Sequence, residues 1–167
     1  MDIYTRLKNN EKVMTELKGK LDDAIFSIAL LKKLKIADIS NLNNRIKCQK
    51  LIYFAKRLGV APNYNFNLYL HGPYSPYLSN HLHVLKDFFK EIMPFEPLSE
   101  DLIEKYNLLN SINLYDLKTI EIAATLDILN KNNLEEAIKK TKELKKCNLK
   151  DIEEAIKLLN HLGLYYE

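Results

Sequence analysis

The chain has 167 residues, 47% of them apolar and 28% charged, with four Gly, five Pro and two Cys. That composition describes one folded domain and excludes a disordered, collagen-like or disulfide-stapled chain. The net charge of +3 does not by itself mark a nucleic-acid binder, and no apolar run approaches the ~18 residues of a membrane span.

Taken in chain order, Ile3, Leu7, Met14, Leu17, Leu21, Ala24, Ile28 and Leu31 recur at alternating three and four spacing, a heptad-like seam interrupted by Asn10. Gly19 and the pair Asp22, Asp23 divide it into a leading helix and a second helix over about 22–34, because Gly weakens a helix interior and Asp favours a helix start. The leading helix either packs on its own domain or forms a homodimer through its seam. Asn43 or Asn44 caps the next helix, 45–58, which stops at Gly59. At 100° per residue, Cys48, Leu51, Ile52, Phe54, Ala55 and Leu58 share one face, and Arg45, Gln49, Lys50, Tyr53, Lys56 and Arg57 lie largely opposite. Residues 63–71 alternate strictly, with Tyr64, Phe66, Leu68 and Leu70 on one side, which predicts a strand with one buried face. A lone strand needs a partner, and the closing run Leu164, Tyr165, Tyr166 is one candidate.

His71, Gly72, Pro73 and Tyr74 then make a turn, and Ser75 followed by Pro76 starts a helix that runs to about residue 92. Ser99, Glu100 and Asp101 open a helix through about 109, and three more helices follow over 117–130, 134–146 and 149–162. The expected fold is therefore mainly α, a multi-helix domain with a small β-hairpin or short strand pair. Its last three helices, with the apolar end after them, have the order of a winged helix-turn-helix.

Charge is distributed unevenly. Residues 39–86 contain no Asp or Glu but hold Arg45, Lys47, Lys50, Lys56, Arg57 and Lys86, along with five of the ten tyrosines and three of the four histidines. Basic groups interleaved with aromatic faces mark this window as a candidate binding surface, while burial of much of it explains the same pattern without a ligand.

Catalytic and metal-binding patterns are weakly represented. His81 and His83 are two residues apart, which on a helix points them in nearly opposite directions, so no metal site is expected. Ser75 reads as a helix cap rather than a nucleophile for His71, and Cys48 as a small core hydrophobe. The pairs Glu135, Glu136 and Glu153, Glu154 read as first-turn residues that complement helix dipoles. No phosphate-cradling glycine loop is present, so an enzyme is the least supported reading and no cofactor is expected. No signal-peptide pattern opens the sequence, and the two cysteines lie in helical stretches, so the expected compartment is a reduced cytoplasm.

Read together, Lys47-Cys48-Gln49-Lys50-Leu51-Ile52-Tyr53-Phe54, the strand over 64–70 and the turn His71-Gly72-Pro73-Tyr74-Ser75 resemble the Panacea-type antitoxin domain and its uncharacterised prokaryotic relatives. Members pair a K-L-Q-K-L-x-Y-F helix with a later aromatic strand that runs into a Gly-Pro turn and a helix start. This chain departs from that pattern at Cys48, where leucine is usual. The resemblance covers roughly residues 21–165. The expected organisation is an N-terminal helical extension over 1–20 and a single helical domain over 21–167, in which 21–110 carries the motif and 111–167 is winged-helix-like by the order of its helices.

The resemblance implies a non-enzymatic module that binds a protein partner, in toxin neutralisation or as an adaptor. The candidate partner-binding residues are Gln49, Lys50, Tyr53, Tyr69, His71, Gly72, Pro73 and Tyr74, because tyrosines and charged helix faces beside a rigid turn anchor interfaces. The alternative use of Gln49 and Lys50 is internal, hydrogen-bonding the backbone of the Gly-Pro turn. The competing function is a nucleic-acid-binding regulator that uses Arg45, Lys56, Arg57 and Lys86 or the winged-helix-like helices.

Overall fold

The computed structural model describes residues 1–164, and among them the architecture is mainly α, with nine helices and one short antiparallel hairpin. Two short helices, α1 (Ile3–Lys8) and α2 (Glu11–Glu16), lead into α3 (Leu21–Lys33) and α4 (Leu42–Arg57). The hairpin strands β1 (Asn67–Tyr69) and β2 (Gly72–Tyr74) precede α5 (Pro76–Leu85) and a 3-10 turn at Lys86–Phe88. The remaining helices are α6 (Glu100–Asn110), α7 (Leu117–Leu129), α8 (Leu134–Lys145) and α9 (Leu149–His161). None of them is long and apolar enough to cross a membrane.

The leading segment is two helices rather than the expected one, because Asn10 caps a new start by accepting the Val13 N–H at 3.1 Å. Leu7, Val13, Leu17 and Leu21 are buried and join the same apolar cluster as α4, α7 and α9, so the seam faces the chain's own core. Helix α4 starts earlier than expected, and its cap is Asn41, not Asn43 or Asn44. Asn41 Oδ1 takes the Asn44 N–H at 2.8 Å, while the Asn44 amide donates to the Asp38 carbonyl and is committed there. The helix from Ser75 ends at Leu85 instead of running to 92, passing into the 3-10 turn. Ser75 caps it as expected, accepting from Leu78 N–H, with Pro76 in the first turn. In α9 the first-turn acid is Asp151, locked in a capping box with Asn148, so Glu153 and Glu154 fall past the first turn.

Two helices form the centre. In α7, Ile120 and every residue from Ile122 through Asp127 are buried, the pattern of an interior helix apolar nearly all round. It packs on α4, α8, α9 and both strands. Because α7 covers one side of α4 while α3, α5 and α6 pack on it as well, residues 48–55 of α4 are all buried. Gln49, Lys50 and Tyr53, placed by helical periodicity on a solvated face, are therefore interior.

The strand expected over 63–71 contracts to Asn67–Tyr69, and its partner is the adjacent Gly72–Tyr74. Tyr64 is buried, its hydroxyl shared with Ser27 Oγ at 2.9 Å and His81 Nδ1 at 2.7 Å, and Lys56 Nζ donates to its carbonyl. Those partners hold 63–66 against α3 and α5 and leave it no ladder to join. The turn is Leu70 and His71, so His71 lies in it as expected, while Gly72, Pro73 and Tyr74, expected there too, form β2. Leu68 and Leu70, assigned to the buried side by alternation, are exposed. Of the closing run, Tyr165 and Tyr166 lie outside the described residues.

Gly72 has φ +96°, and a Cβ there would sit 2.7 Å from Thr125 Oγ1 on α7. Gly59 shares the left-handed conformation at φ +77° but faces open space. Gly59→Ala is therefore expected to cost about 1 kcal/mol of stability, and Gly72→Ala about 3 kcal/mol because steric overlap adds to conformational strain. Denaturant unfolding of the two variants checks this, and equal losses would remove the packing role assigned to Gly72.

Candidate functional site

The site is built on the free edge of β2. Pro73 has no N–H to give and occupies the middle pair of the hairpin, opposite Leu68. Its carbonyl turns away from β1 and accepts from Lys50 Nζ at 2.8 Å. Two residues on, the same edge presents Ser75, whose N–H donates to Gln49 Oε1 at 2.9 Å and whose carbonyl accepts from Gln49 Nε2 at 3.1 Å. The two adjacent α4 side chains thus take the place of a third strand, satisfying backbone groups that would otherwise be buried and unpaired. The internal role for Gln49 and Lys50 that the sequence allowed is the one these bonds describe.

Lys50 is only 1% exposed. Burial pushes its pKa down to about 8, with the negative charge of Glu121 opposing that shift and the positive charge of Lys145 adding to it. Glu121 on α7 also pairs with Lys145 Nζ on α8 at 3.2 Å and lies 3.9 Å from His71 Nδ1. Lys145 in turn reaches the Leu70 carbonyl at 3.4 Å, so the hairpin tip is fastened to α7 and α8. The sequence window offered no carboxylate for His71, and the fold supplies one from outside it.

Five of the eight candidate partner-binding residues, Gln49, Lys50, Tyr69, His71 and Tyr74, line one groove of about 820 Å³ between the start of α4, the hairpin and α5. Gly72 and Pro73 are buried within the hairpin, and Tyr53 is directed elsewhere. Tyr53 Oη donates to Asp127 Oδ2, which also receives Arg57 Nε at 2.7 Å, joining α4 to α7 away from the groove. The basic residues divide in the same way. Arg45 and Lys86 line the groove, whereas Lys56 is bound to the Tyr64 carbonyl and Arg57 to Asp127, so the four do not form one patch.

Sequence reasoning missed the groove's other wall. Pro76, Ser79, Asn80 and His83, continuing to Lys86, recur at three and four spacing along α5, a helical stripe that the search for metal ligands at His81 and His83 passed over. Leu42 and Ile46, one turn apart at the start of α4, complete the apolar lining. Rim residues are open to solvent, with Leu70 85% and Leu42 56% exposed. The Tyr69 and Tyr74 rings meet edge-on at 5.1 Å, a diagonal pair across the hairpin.

The remaining chemistry-bearing groups are quiet. His81 is buried against Tyr64, and burial lowers its pKa, which keeps the imidazole neutral at pH 7. Burial pushes the Cys48 thiol up to about 12, so no thiolate forms at neutral pH. Among the described residues no group of His, Cys, Asp and Glu is placed to hold a metal. Tyr106 Oη is the buried side-chain polar atom without a hydrogen-bond partner among the described residues. The chain matches no protein-family model, no curated protein and no solved structure.

A lysine whose folded pKa lies below its unfolded value binds fewer protons when folded, so its contribution to stability rises with pH between about 8 and 10.5. The stability of the wild-type chain relative to Lys50→Met is expected to rise by about 2 kcal/mol from pH 7 to pH 10. Taking the difference cancels the opposing titration of Cys48 and the buried tyrosines. Urea midpoints at several pH values measure it, and a flat difference would mean that Lys50 is not desolvated.

Proposed function

We propose that this chain is a non-enzymatic protein-interaction module, of the kind its resemblance to Panacea-type antitoxin domains implies, acting in toxin neutralisation or as an adaptor. The observation that carries the reading is the cluster of exposed apolar and aromatic side chains around the groove. Leu42, Tyr69 and Leu70 line it and are exposed. Exposed apolar side chains gathered at one groove are the kind of surface that marks interaction sites. The hairpin presenting it is held by Lys50, Gln49, Lys145 and the close contact of Gly72 with Thr125, so a partner meets a preformed surface and the ordering cost of binding is small.

A nucleic-acid-binding regulator is the competing reading. It is supported by the presence of Arg45 and Lys86 at one acid-free groove and by the order of α7, α8 and α9, which is that of a winged helix-turn-helix. Against it, the α9 helix in the recognition position carries Asp151, Glu153 and Glu154, and its Lys157 is paired with Glu154 at 3.0 Å.

Affinity capture of the tagged chain from extract of its own organism, before and after nuclease treatment, separates the two. The interaction reading expects a stoichiometric protein that survives nuclease and is lost from Tyr69→Ala and Leu70→Ser, both exposed positions, with circular dichroism of each variant checking that it folds. The loss expected at Tyr69 is about 2 kcal/mol of binding energy, the scale of an interface anchor. Material that leaves with the nucleic acid, and affinity that falls steeply with salt, would instead establish the regulator.

A further inference from the structure

We propose that the groove between α4, the hairpin and α5 receives an acidic, amphipathic peptide segment of the protein partner. Its apolar side chains lie on Ile46 and Leu82, and its carboxylates face Arg45 and Lys86. The inference rests on the protein-interaction reading and specifies the chemistry of the partner.

Charge is the first support. Arg45 and Lys86 line the groove, and no Asp or Glu does. Some of the chain's other lysines meet its own acids, as Lys118 does with Asp151 and Lys140 with Glu136. Among the described residues, the Lys86 and His83 side chains make no such pair and no hydrogen bond. The groove thus joins an acid-free lining to the uncommitted ammonium of Lys86, and complementary charge selects a partner and speeds its approach.

The apolar lining decides between classes of anion. Ile46 and Leu82 are buried at the base, at 8% and 4% exposure, and Leu42 and Leu70 stand at the rim. A nucleic acid would set phosphates against those leucines. It would also find few cations to neutralise it, Arg45 and Lys86, since Lys50 is buried and bound to Pro73 O. A peptide that alternates apolar and acidic side chains meets both features, and a groove of about 820 Å³ lies within the range of preformed pockets that take a few side chains, ~300–1,000 Å³.

The test is selection of a phage-displayed library of random dodecapeptides on the full chain, followed by fluorescence anisotropy of the recovered sequences as synthetic peptides. The expected result is joint enrichment of Asp or Glu with Leu, Ile or aromatic residues. The affinity of these peptides should drop about tenfold or more in the Arg45→Glu, Lys86→Glu double variant. Circular dichroism and melting confirm that the double variant folds, and Lys86→Glu alone, at an exposed residue without an internal partner, is the second variant should Arg45 prove structural. Peptides without acidic enrichment, equal binding by the charge-reversed variants, or displacement of the peptides by an oligo-dT strand would overturn the proposal. Neutral peptides that still lose affinity on Tyr69→Ala remove the acidic occupant and leave the interaction reading standing. Failure to recover any peptide, together with no captured protein, removes both.

Discussion

A two-stranded hairpin cannot hold itself together in water, and in this chain the outer edge of β2 is completed by side chains of a helix. Lys50 and Gln49, adjacent on α4, bond the Pro73 carbonyl and both backbone groups of Ser75. For those bonds to form, α4 must turn two polar residues inward, and burying the Lys50 ammonium is unfavourable unless the surroundings answer its charge. Glu121 on α7 does so, and the close approach of Gly72 to Thr125 brings the hairpin within reach. The positions of α4, α7 and the hairpin are thus mutually dependent, and α8 joins them through Lys145.

That arrangement gives the motif two sides. The inner side is spent on backbone satisfaction and leaves no freedom for Gly72 or Pro73, which are buried. The outer side carries Tyr69, Leu70 and the start of α5, which no element of the described chain covers. A hairpin tied down along one edge and bare along its face presents side chains from a rigid base, the condition under which exposed aromatic groups contribute most to binding. The acid-free window is likewise divided, with Lys56 and Arg57 bound to Tyr64 and Asp127 away from the groove. Lys50 and His81 lie inside, where an acid would need its own partner, and Arg45, His83 and Lys86 lie around the groove.

Helix positions were largely legible in the sequence because their signals are local. Ser75 with Pro76, Ser99 before two acids, and the starts at Leu117, Leu134 and Leu149 placed five helices within a residue or two at their N-termini, since a capping side chain acts on N–H groups two or three residues away. The strand was not legible. The alternation over 64–70 is real, but it records an anchored Tyr64 and Phe66 followed by exposed residues, and periodicity does not say which alternate face is covered. The same holds for α4, whose polar face is a second buried face because α7, some seventy residues later in the chain, lies against it.

The chain by itself determined a mainly helical domain, the motif of Gln49, Lys50, Gly72 and Pro73, and the gathering of positive charge near it, because composition, capping and spacing are properties of neighbours in sequence. Only the tertiary structure decided that Gln49 and Lys50 face inward, that Tyr53 and Arg57 meet Asp127 away from the groove, and that Arg45 and Lys86 share one groove with Tyr69. Those outcomes rest on contacts between residues from about 20 to 70 positions apart. Which side chains such contacts bury is set by how whole helices pack, and packing has no local signature.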